Sequence, residues 1–202
     1  MRVTYGHLLR DFTLTLPYGT CTALTGPVGC GKSTVLRLLL GLTVPQEGDA
    51  FFDGQWYSEW PSLALVRQHL GYVPQQPRML VHGTLLENVL YGHPSGDSAD
   101  LRRRATDLLV DMGFTTESVS VSVGKDGMAL SGGQRQLAWV ARVLLHDPRV
   151  LLLDEPSASM DERCTATLVR LLTHVMETTK TTVLVVSHDP RLVAHAHHRV
   201  CL

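Results

Sequence analysis

The sequence predicts an α/β fold with a mainly parallel core sheet, an antiparallel β part near the N-terminus and a helical insertion. A short strand runs through a glycine-rich loop into a helix over 20–42. Two segments, 150–155 and 181–187, each contain an unbroken apolar run, which is typical of strands that are buried on both faces. Between the glycine loop and the first of these runs, residues 76–146 are more polar and helical in composition. Strands that alternate with helices in this way favour a parallel sheet.

The remaining elements follow from local patterns. Residues 11–16 alternate between apolar and polar, as a half-buried strand does. Asp53 and Gly54 predict a tight turn after the strand at 48–52, which favours antiparallel pairing. An extended segment at 71–75 is interrupted by Pro74. The other predicted elements are helices over 84–90, 99–112, 133–146 and 161–178 and a last strand over 198–202.

Length and composition predict one compact domain over 1–202, with a core formed by 1–75 and 147–202 and a helical subdomain formed by 76–146. The net charge of −1 provides no basic field for nucleic acid, so we expect no nucleic-acid partner. The four cysteines have no metal-binding spacing and indicate reduced thiols of a cytosolic protein. The longest apolar run is far shorter than the ~20 residues of a membrane span, and the first residues lack the apolar core of a signal peptide. We therefore expect a soluble chain.

The segment GPVGCGKST (26–34) fits the phosphate-binding pattern G-x-x-x-x-G-K-[ST]. Glycines allow successive backbone N–H groups to turn towards a phosphate, and the helix that follows directs its positive end at the anion. Lys32 is expected to reach the β- and γ-phosphate oxygens, and the Ser33 hydroxyl to bind Mg²⁺. A plain glycine turn before a helix is the alternative, and the strand–loop–helix context argues against it.

The run VLLLDEP (150–156) delivers two carboxylates to the C-terminal end of a buried strand, where ligands of α/β sheets bind. Asp154 is predicted to hold Mg²⁺, and Glu155 to act as the base that polarises the attacking water. The alternative is a strand that simply ends in polar residues. The presence of the glycine-rich motif in the same chain argues against it. Together the two motifs predict a P-loop ATPase or GTPase.

A third motif, LSGGQRQ (130–136), places two glycines where a helix should begin, although glycine costs about 1 kcal/mol per residue against alanine there. With VSHD (186–189) downstream, the order of motifs resembles the nucleotide-binding domain of ATP-binding cassette (ABC) proteins over essentially the whole chain. The resemblance implies that Ser131, Gly132, Gly133 and Gln134 contact ATP held by the P-loop of another copy. A side chain at either glycine would then obstruct the phosphate, and the helix N-terminus would face the anion.

The same resemblance implies the remaining roles. Gln75 contacts Mg²⁺ and water, His188 hydrogen-bonds the γ-phosphate, Tyr5 stacks on adenine, and Asp161 is retained in the loop after the carboxylates. The nucleotide-binding residues are Tyr5, Gly26, Pro27, Val28, Gly29, Cys30, Gly31, Lys32, Ser33, Thr34 and Gln75. The metal ligands are Ser33, Gln75 and Asp154, and the catalytic residues are Glu155 and His188.

The segment GTLLEN (83–88) is similar to the exporter-type pattern that follows the glutamine loop. The resemblance therefore implies an ATPase that takes ATP and Mg²⁺, dimerises with a second nucleotide-binding domain, and drives export through a separate membrane subunit from the cytosolic face. The chain departs from the pattern at Lys125, where an acidic residue is usual, and at Leu137, where a basic residue is usual. Two alternatives remain: a soluble ABC ATPase acting on nucleic acid or ribosomes, and a nucleotide-binding regulator without hydrolysis. The missing basic surface argues against the first, and Glu155 and His188 argue against the second.

Overall fold

The computed structural model describes residues 2–5, 12–45, 48–79, 83–94 and 96–202. Within these ranges the elements are β1 (Arg2–Tyr5), β2 (Phe12–Thr15), β3 (Cys21–Thr25), α1 (Lys32–Leu39), β4 (Ala50–Phe52), β5 (Gln55–Trp56), α2 (Leu63–Arg67), β6 (Leu70–Val73), α3 (Leu85–Leu90), α4 (Ala99–Asp111), α5 (Thr116–Val119), α6 (Gly132–Leu144), β7 (Val150–Asp154), α7 (Glu162–Thr179), β8 (Thr182–Val186), α8 (Pro190–Ala194) and β9 (His198–Cys201). The first residue of the predicted strand 11–16 lies outside the described residues.

The chain divides into two compact units. The first comprises the described residues of Met1–Tyr72, Pro148–Glu155 and His174–Leu202, and the second comprises those of Val73–Asp147 and Pro156–Thr173. The sequence prediction placed the whole of 147–202 in the core, whereas 156–173 group with the helical unit. The physical reason is close packing: the positions of Gly132 and Gly133 at the start of α6 lie directly against Ser159 and Cys164.

The first unit holds two sheets. A five-stranded sheet runs in the order β6-β7-β8-β3-β9, with β3, β8 and β9 parallel to one another and β7 parallel to β8. A four-stranded sheet runs β2-β1-β4-β5, and each of its pairs is antiparallel. The apolar runs are buried as expected, with Leu152 and Leu184 fully inside. The predicted fold class is therefore confirmed.

The register of the parallel sheet determines which loops meet. Val186 at the end of β8 is opposite Leu24 of β3 on one side and Asp154 of β7 on the other. The segments that follow β3, β7 and β8 therefore emerge at the same edge of the sheet. These segments begin at Gly26, Glu155 and Ser187.

The second unit contains α3 to α6 and packs around fully buried leucines such as Leu85 and Leu109. Its helices begin at side-chain caps, which explains part of the sequence pattern. Thr84 accepts a hydrogen bond from the Glu87 N–H at 3.1 Å, while the Glu87 carboxylate accepts from the Thr84 N–H at 2.8 Å. Asn88 donates from Nδ2 to the Thr84 carbonyl at 2.8 Å. Thr84 and Glu87 of GTLLEN therefore form the capping box of α3, and Asn88 adds a hydrogen bond to the same turn.

Five elements were not predicted: β1, β5, α2, α5 and α8. Three of them are helices of four or five residues, too short for a helical period to show in the sequence. For α8 a signal was present, because Asp189 caps the helix by accepting from the Arg191 N–H at 2.9 Å and Pro190 occupies the first turn. Among the described residues, no helix combines the length and the hydropathy that crossing a bilayer requires.

Candidate active site

The predicted phosphate-binding loop follows β3 and ends where α1 begins at Lys32. Gly26 has φ 143°, and a Cβ there would lie 2.8 Å from the Cys30 sulfur and 2.9 Å from the Leu202 carbonyl oxygen. Any other residue at 26 would therefore be strained and would also clash. Gly31, with φ 107°, precedes α1 and supplies no side-chain cap to its first turn. The first-turn N–H groups are thus left available for an anion.

Lys32 is the one predicted phosphate ligand whose charged end already contacts the loop. Its Nζ donates to the Gly26 carbonyl at 2.6 Å and to the Pro27 carbonyl at 2.9 Å. These bonds hold the ammonium group against the backbone of residues 26–27, where this motif binds the phosphates of a nucleotide. Ser33 is exposed and Thr34 half-buried on the first turn of α1.

Two carboxylates and a histidine meet at the edge of the parallel sheet. Glu155 has φ 43°, an uncommon backbone conformation that turns the chain directly after β7, and its N–H donates to the Val186 carbonyl at 2.8 Å. The Glu155 Oε1 and His188 Nε2 atoms are 3.4 Å apart. The backbone N–H of His188 also donates to Glu155 Oε2 at 3.3 Å. The predicted base and the predicted histidine are therefore direct neighbours.

Asp154 lies at the last position of β7, one residue before Glu155. Burial raises the pKa of its carboxyl group, and the nearby Glu155 carboxylate raises the pKa further, while the Tyr72 hydroxyl and Lys32 act in the opposite direction. The Tyr72 hydroxyl lies 3.5 Å from Asp154 Oδ2. A half-buried carboxylate whose charged form is disfavoured gains from a cation, so this oxygen suits Mg²⁺, which prefers oxygen ligands.

Gln75 and Tyr5 belong to other segments of the described chain. Gln75 is exposed and belongs to the second unit, two residues after the end of β6. Pro74 beside it accepts a hydrogen bond from Gln136 Nε2 of α6 at 2.9 Å. Tyr5 lies in β1 opposite Phe12, and its side chain is outside the described residues.

Sequence reasoning did not assign roles to Gln136 or Tyr72. Gln136 is fully buried, and among the described residues its Oε1 has no hydrogen-bond partner. Its only sequence signal was its place as the second glutamine of LSGGQRQ. For Tyr72 there was no signal, because its proximity to Asp154 arises from the neighbouring strands β6 and β7.

Ser131, Gly132, Gly133 and Gln134 form the first turn of α6. The Ser131 hydroxyl accepts from the Gln134 N–H at 3.1 Å, and the Gln134 side-chain oxygen accepts from the Ser131 N–H at 2.8 Å. This capping box satisfies two backbone donors. Asp161 caps α7 by accepting a single hydrogen bond from the Cys164 N–H at 2.7 Å, and this bond lowers the pKa of the Asp161 carboxyl group.

The two glycines of this turn are explained within one chain. A Cβ at Gly132 would lie 2.8 Å from the Ser159 Cβ and 3.0 Å from the Ser159 carbonyl oxygen. A Cβ at Gly133 would lie 2.9 Å from the Cys164 sulfur. The predicted reason for the glycines was a phosphate held by a second molecule, whereas packing within this unit already requires them.

We therefore predict that Gly132→Ala destabilises the nucleotide-free protein by about 1–3 kcal/mol, because it overpacks the contact with Ser159. Denaturant unfolding without ATP measures the effect. Combining it with Ser159→Gly removes the closest opposing atom and should recover part of the loss. If Gly132→Ala without nucleotide is as stable as the wild type, packing does not require the glycine. The predicted phosphate contact would then be the remaining explanation for it.

Comparison with known proteins places these motifs in context. The family model described as ABC transporter matches residues 9–158. The sulfate/thiosulfate import ATP-binding protein CysA 2 of Rhizobium meliloti (strain 1021) is 38% identical over 191 residues, which cover 90% of this chain and 49% of the relative. The chain thus spans about half the length of this relative.

Two solved structures extend the similarity to the fold. The dimeric post-hydrolysis state of the ATP-binding cassette MJ0796, bound to ADP and Pi, is 26% identical with a TM-score of 0.84, covering 100% of this chain and 93% of that one. A bacterial Atm1-family ABC exporter with ATP bound has the same identity and TM-score, and the match covers 100% of this chain and 36% of the exporter.

Proposed function

Because this chain belongs to the ABC transporter family of ATP-hydrolysing, Mg²⁺-using cassettes, we propose that it hydrolyses ATP in a head-to-tail dimer and so powers transport through a separate membrane subunit. The observation that carries the proposal is the contact between Glu155 and His188. It lies at the edge of the sheet from which residues 26–32 emerge and at which Asp154 ends β7. A base, a histidine, a phosphate-binding lysine and a half-buried carboxylate at one edge are the groups that phosphoryl transfer to water requires.

Each residue has a role that its position supports. Lys32 binds the β- and γ-phosphates, and the free N–H groups of the first turn of α1 add to the anion site. Glu155 accepts a proton from the attacking water, and His188 holds the Glu155 carboxylate and hydrogen-bonds the γ-phosphate. Ser33 and Asp154 are oxygen ligands for Mg²⁺, and Gln75 is a third ligand that the family resemblance alone implies. The ion, when bound, neutralises phosphate charge.

The second half of the site comes from another copy or a close relative. Ser131, Gly132, Gly133 and Gln134 close over the γ-phosphate held by the partner, with the N-terminus of α6 directed at it. Binding of ATP therefore favours the closed dimer, and loss of the γ-phosphate favours opening. The dimeric MJ0796 cassette bound to ADP and Pi, to which this chain is similar, supports a nucleotide-bound dimer.

We further propose that the chain works at the cytosolic face of a membrane and drives export. GTLLEN (83–88) and the similarity to the Atm1-family exporter support this direction. Import is the second candidate, favoured by 38% identity to the sulfate/thiosulfate import ATP-binding protein. Reconstitution of the chain with its membrane subunit in vesicles distinguishes the two, since only ATP supplied on the cassette side drives transport. Movement of substrate away from that side establishes export, and movement towards it establishes import.

Ser131→Arg tests the dimer. The variant should bind ATP as the wild type does, because its own P-loop is intact, but remain a monomer and lose most of its turnover. Ser98→Arg is the matched control, since Ser98 also caps a helix of the second unit by accepting from the Leu101 N–H. ATP-dependent dimerisation on size exclusion and phosphate release are the measurements. Normal turnover by Ser131→Arg would rule out the shared site.

A further inference from the structure

We propose that the tip of the phosphate-binding loop, residues 27–29, inserts into a cavity beside Ser131 on a second copy of this chain, with Val28 as the inserted side chain. The inference rests on the proposed function, because it requires the head-to-tail dimer. It adds an apolar contact between subunits to a site otherwise described by phosphate contacts alone.

The tip projects away from the chain that forms it. Val28 is 97% exposed, and Pro27 and Gly29 are exposed as well. A Cβ added at Gly29 would meet no atom of the described residues within 4 Å. Single exposed valines are common on protein surfaces, but this one lies beside the phosphate site, since Lys32 Nζ donates to the Pro27 carbonyl at 2.9 Å.

The cavity lies in the second unit between the start of α6, the start of α7 and the end of α4. Its volume is about 440 Å³, and Ser131 is part of its lining. Leu137 and Phe114 also line it and are almost wholly buried, so they form an apolar floor. Cavities of roughly 300–1,000 Å³ accommodate ligands of many atoms, so there is room for a loop tip. Leu137 is also the position at which the resemblance to other ABC domains implies a basic residue.

In the proposed dimer, the tip and the cavity are both next to the same γ-phosphate. Each of them adjoins a residue that contacts this phosphate. Lys32 binds that phosphate from one copy and is hydrogen-bonded to the tip. Ser131 contacts the phosphate from the other copy and lines the cavity. In the proposed dimer, closure around ATP therefore brings the tip of one copy and the cavity of the other close to the same phosphate.

The apolar floor of the cavity fits an apolar occupant. The charged residues of the lining, Arg163, Arg170 and Asp161, are exposed, whereas Leu137 and Phe114 are buried. A valine side chain therefore gains from burial against this floor. The phosphates of the bound nucleotide remain outside, at Ser131 and the N-terminus of α6.

A disulfide test uses the cysteine that the cavity already contains. Cys164 lines it, so Val28→Cys should form a disulfide with Cys164 of the second copy when diamide is the oxidant. The background carries Glu155→Gln, so that ATP is retained, with Cys30→Ser and Cys201→Ser. The expected result is a covalent dimer on non-reducing gels in ATP and Mg²⁺. It should be lost in Cys164→Ser and absent for Val44→Cys, which replaces another highly exposed valine of the first unit.

A second measurement fills the cavity. Ala166 lines it and is exposed, so Ala166→Trp should occupy the space without touching the nucleotide site. We expect ATP-dependent dimerisation to weaken about tenfold, while the ATP affinity of the monomer is retained. Ala99→Trp, on an exposed alanine at the start of α4 in the same unit, should dimerise as the wild type does.

The two proposals fail in different ways. If Glu155→Gln forms an ATP-bound dimer but Val28→Cys gives no disulfide with Cys164, or Ala166→Trp dimerises normally, the inserted tip is overturned and the proposed function stands. If Glu155→Gln remains a monomer at saturating ATP, the proposed dimer itself is overturned, and the inserted tip with it.

Discussion

Glu155→Gln should bind ATP, remain dimeric in its presence and hydrolyse it about 100-fold or more slowly than the wild type. The amide retains an oxygen that can accept from the His188 N–H, as the carboxylate does at 3.3 Å, so the loop keeps its shape. It cannot accept a proton from water, and removal of a general base costs on the order of 10²–10⁴ in rate. Because the γ-phosphate then persists, the closed dimer accumulates. Phosphate release and size exclusion with ATP and Mg²⁺ measure the two effects.

Glu177→Gln is the matched control, since it makes the same change of charge at an exposed position near the end of α7. Its turnover should equal that of the wild type. Turnover of Glu155→Gln at the wild-type rate would show that Glu155 is not the catalytic base. A Glu155→Gln protein that stays monomeric at saturating ATP would contradict the proposed nucleotide-bound dimer.

Lys32→Ala should lower the affinity for ATP about 100-fold or more. A hydrogen bond to a charged group contributes up to ~3 kcal/mol, and Lys32 is held by the Gly26 and Pro27 carbonyls in position to make several to phosphate. The loop carbonyls also lose their donor, so the loop becomes less ordered for binding. Titration calorimetry with a non-hydrolysed ATP analogue and Mg²⁺ gives the affinity.

Lys125→Ala serves as the control for charge, because Lys125 is exposed and belongs to the second unit. It should bind ATP as the wild type does. A thermal unfolding scan without nucleotide shows whether Lys32→Ala is folded. An unchanged affinity in a folded Lys32→Ala protein would withdraw the assignment of 26–34 as the phosphate site.

The site was predictable to the extent that its groups are local in sequence. The loop 26–34 needs only glycines, a lysine and the following helix, all within nine residues, and the carboxylates of 154–155 directly follow an apolar strand. Proximity between distant segments was inferred from family resemblance. The structure supplies its physical basis, since Val186 pairs with both Leu24 and Asp154 and so aligns the ends of three strands.

Some features have no local signature. The 3.5 Å approach of Tyr72 to Asp154 arises because β6 and β7 are adjacent in the sheet. The buried Gln136 bonds to Pro74 across 62 positions of sequence. The grouping of 156–173 with the helical unit goes with a close approach at Gly132 and Gly133, where an added Cβ would lie 2.8 Å from Ser159 and 2.9 Å from Cys164; no pattern of residue types encodes this approach.

The sequence by itself determined the fold class, the order of the motifs and the chemistry that each can perform, because hydrophobic periodicity and functional-group identity are properties of short segments. Only the tertiary structure decided which segments meet, why the glycines at 132 and 133 are required in a single chain, and that Val28 projects beside the phosphate loop while a cavity opens beside Ser131. These depend on strand register and on side-chain packing at van der Waals distance, which arise only when segments far apart in the chain are brought into contact.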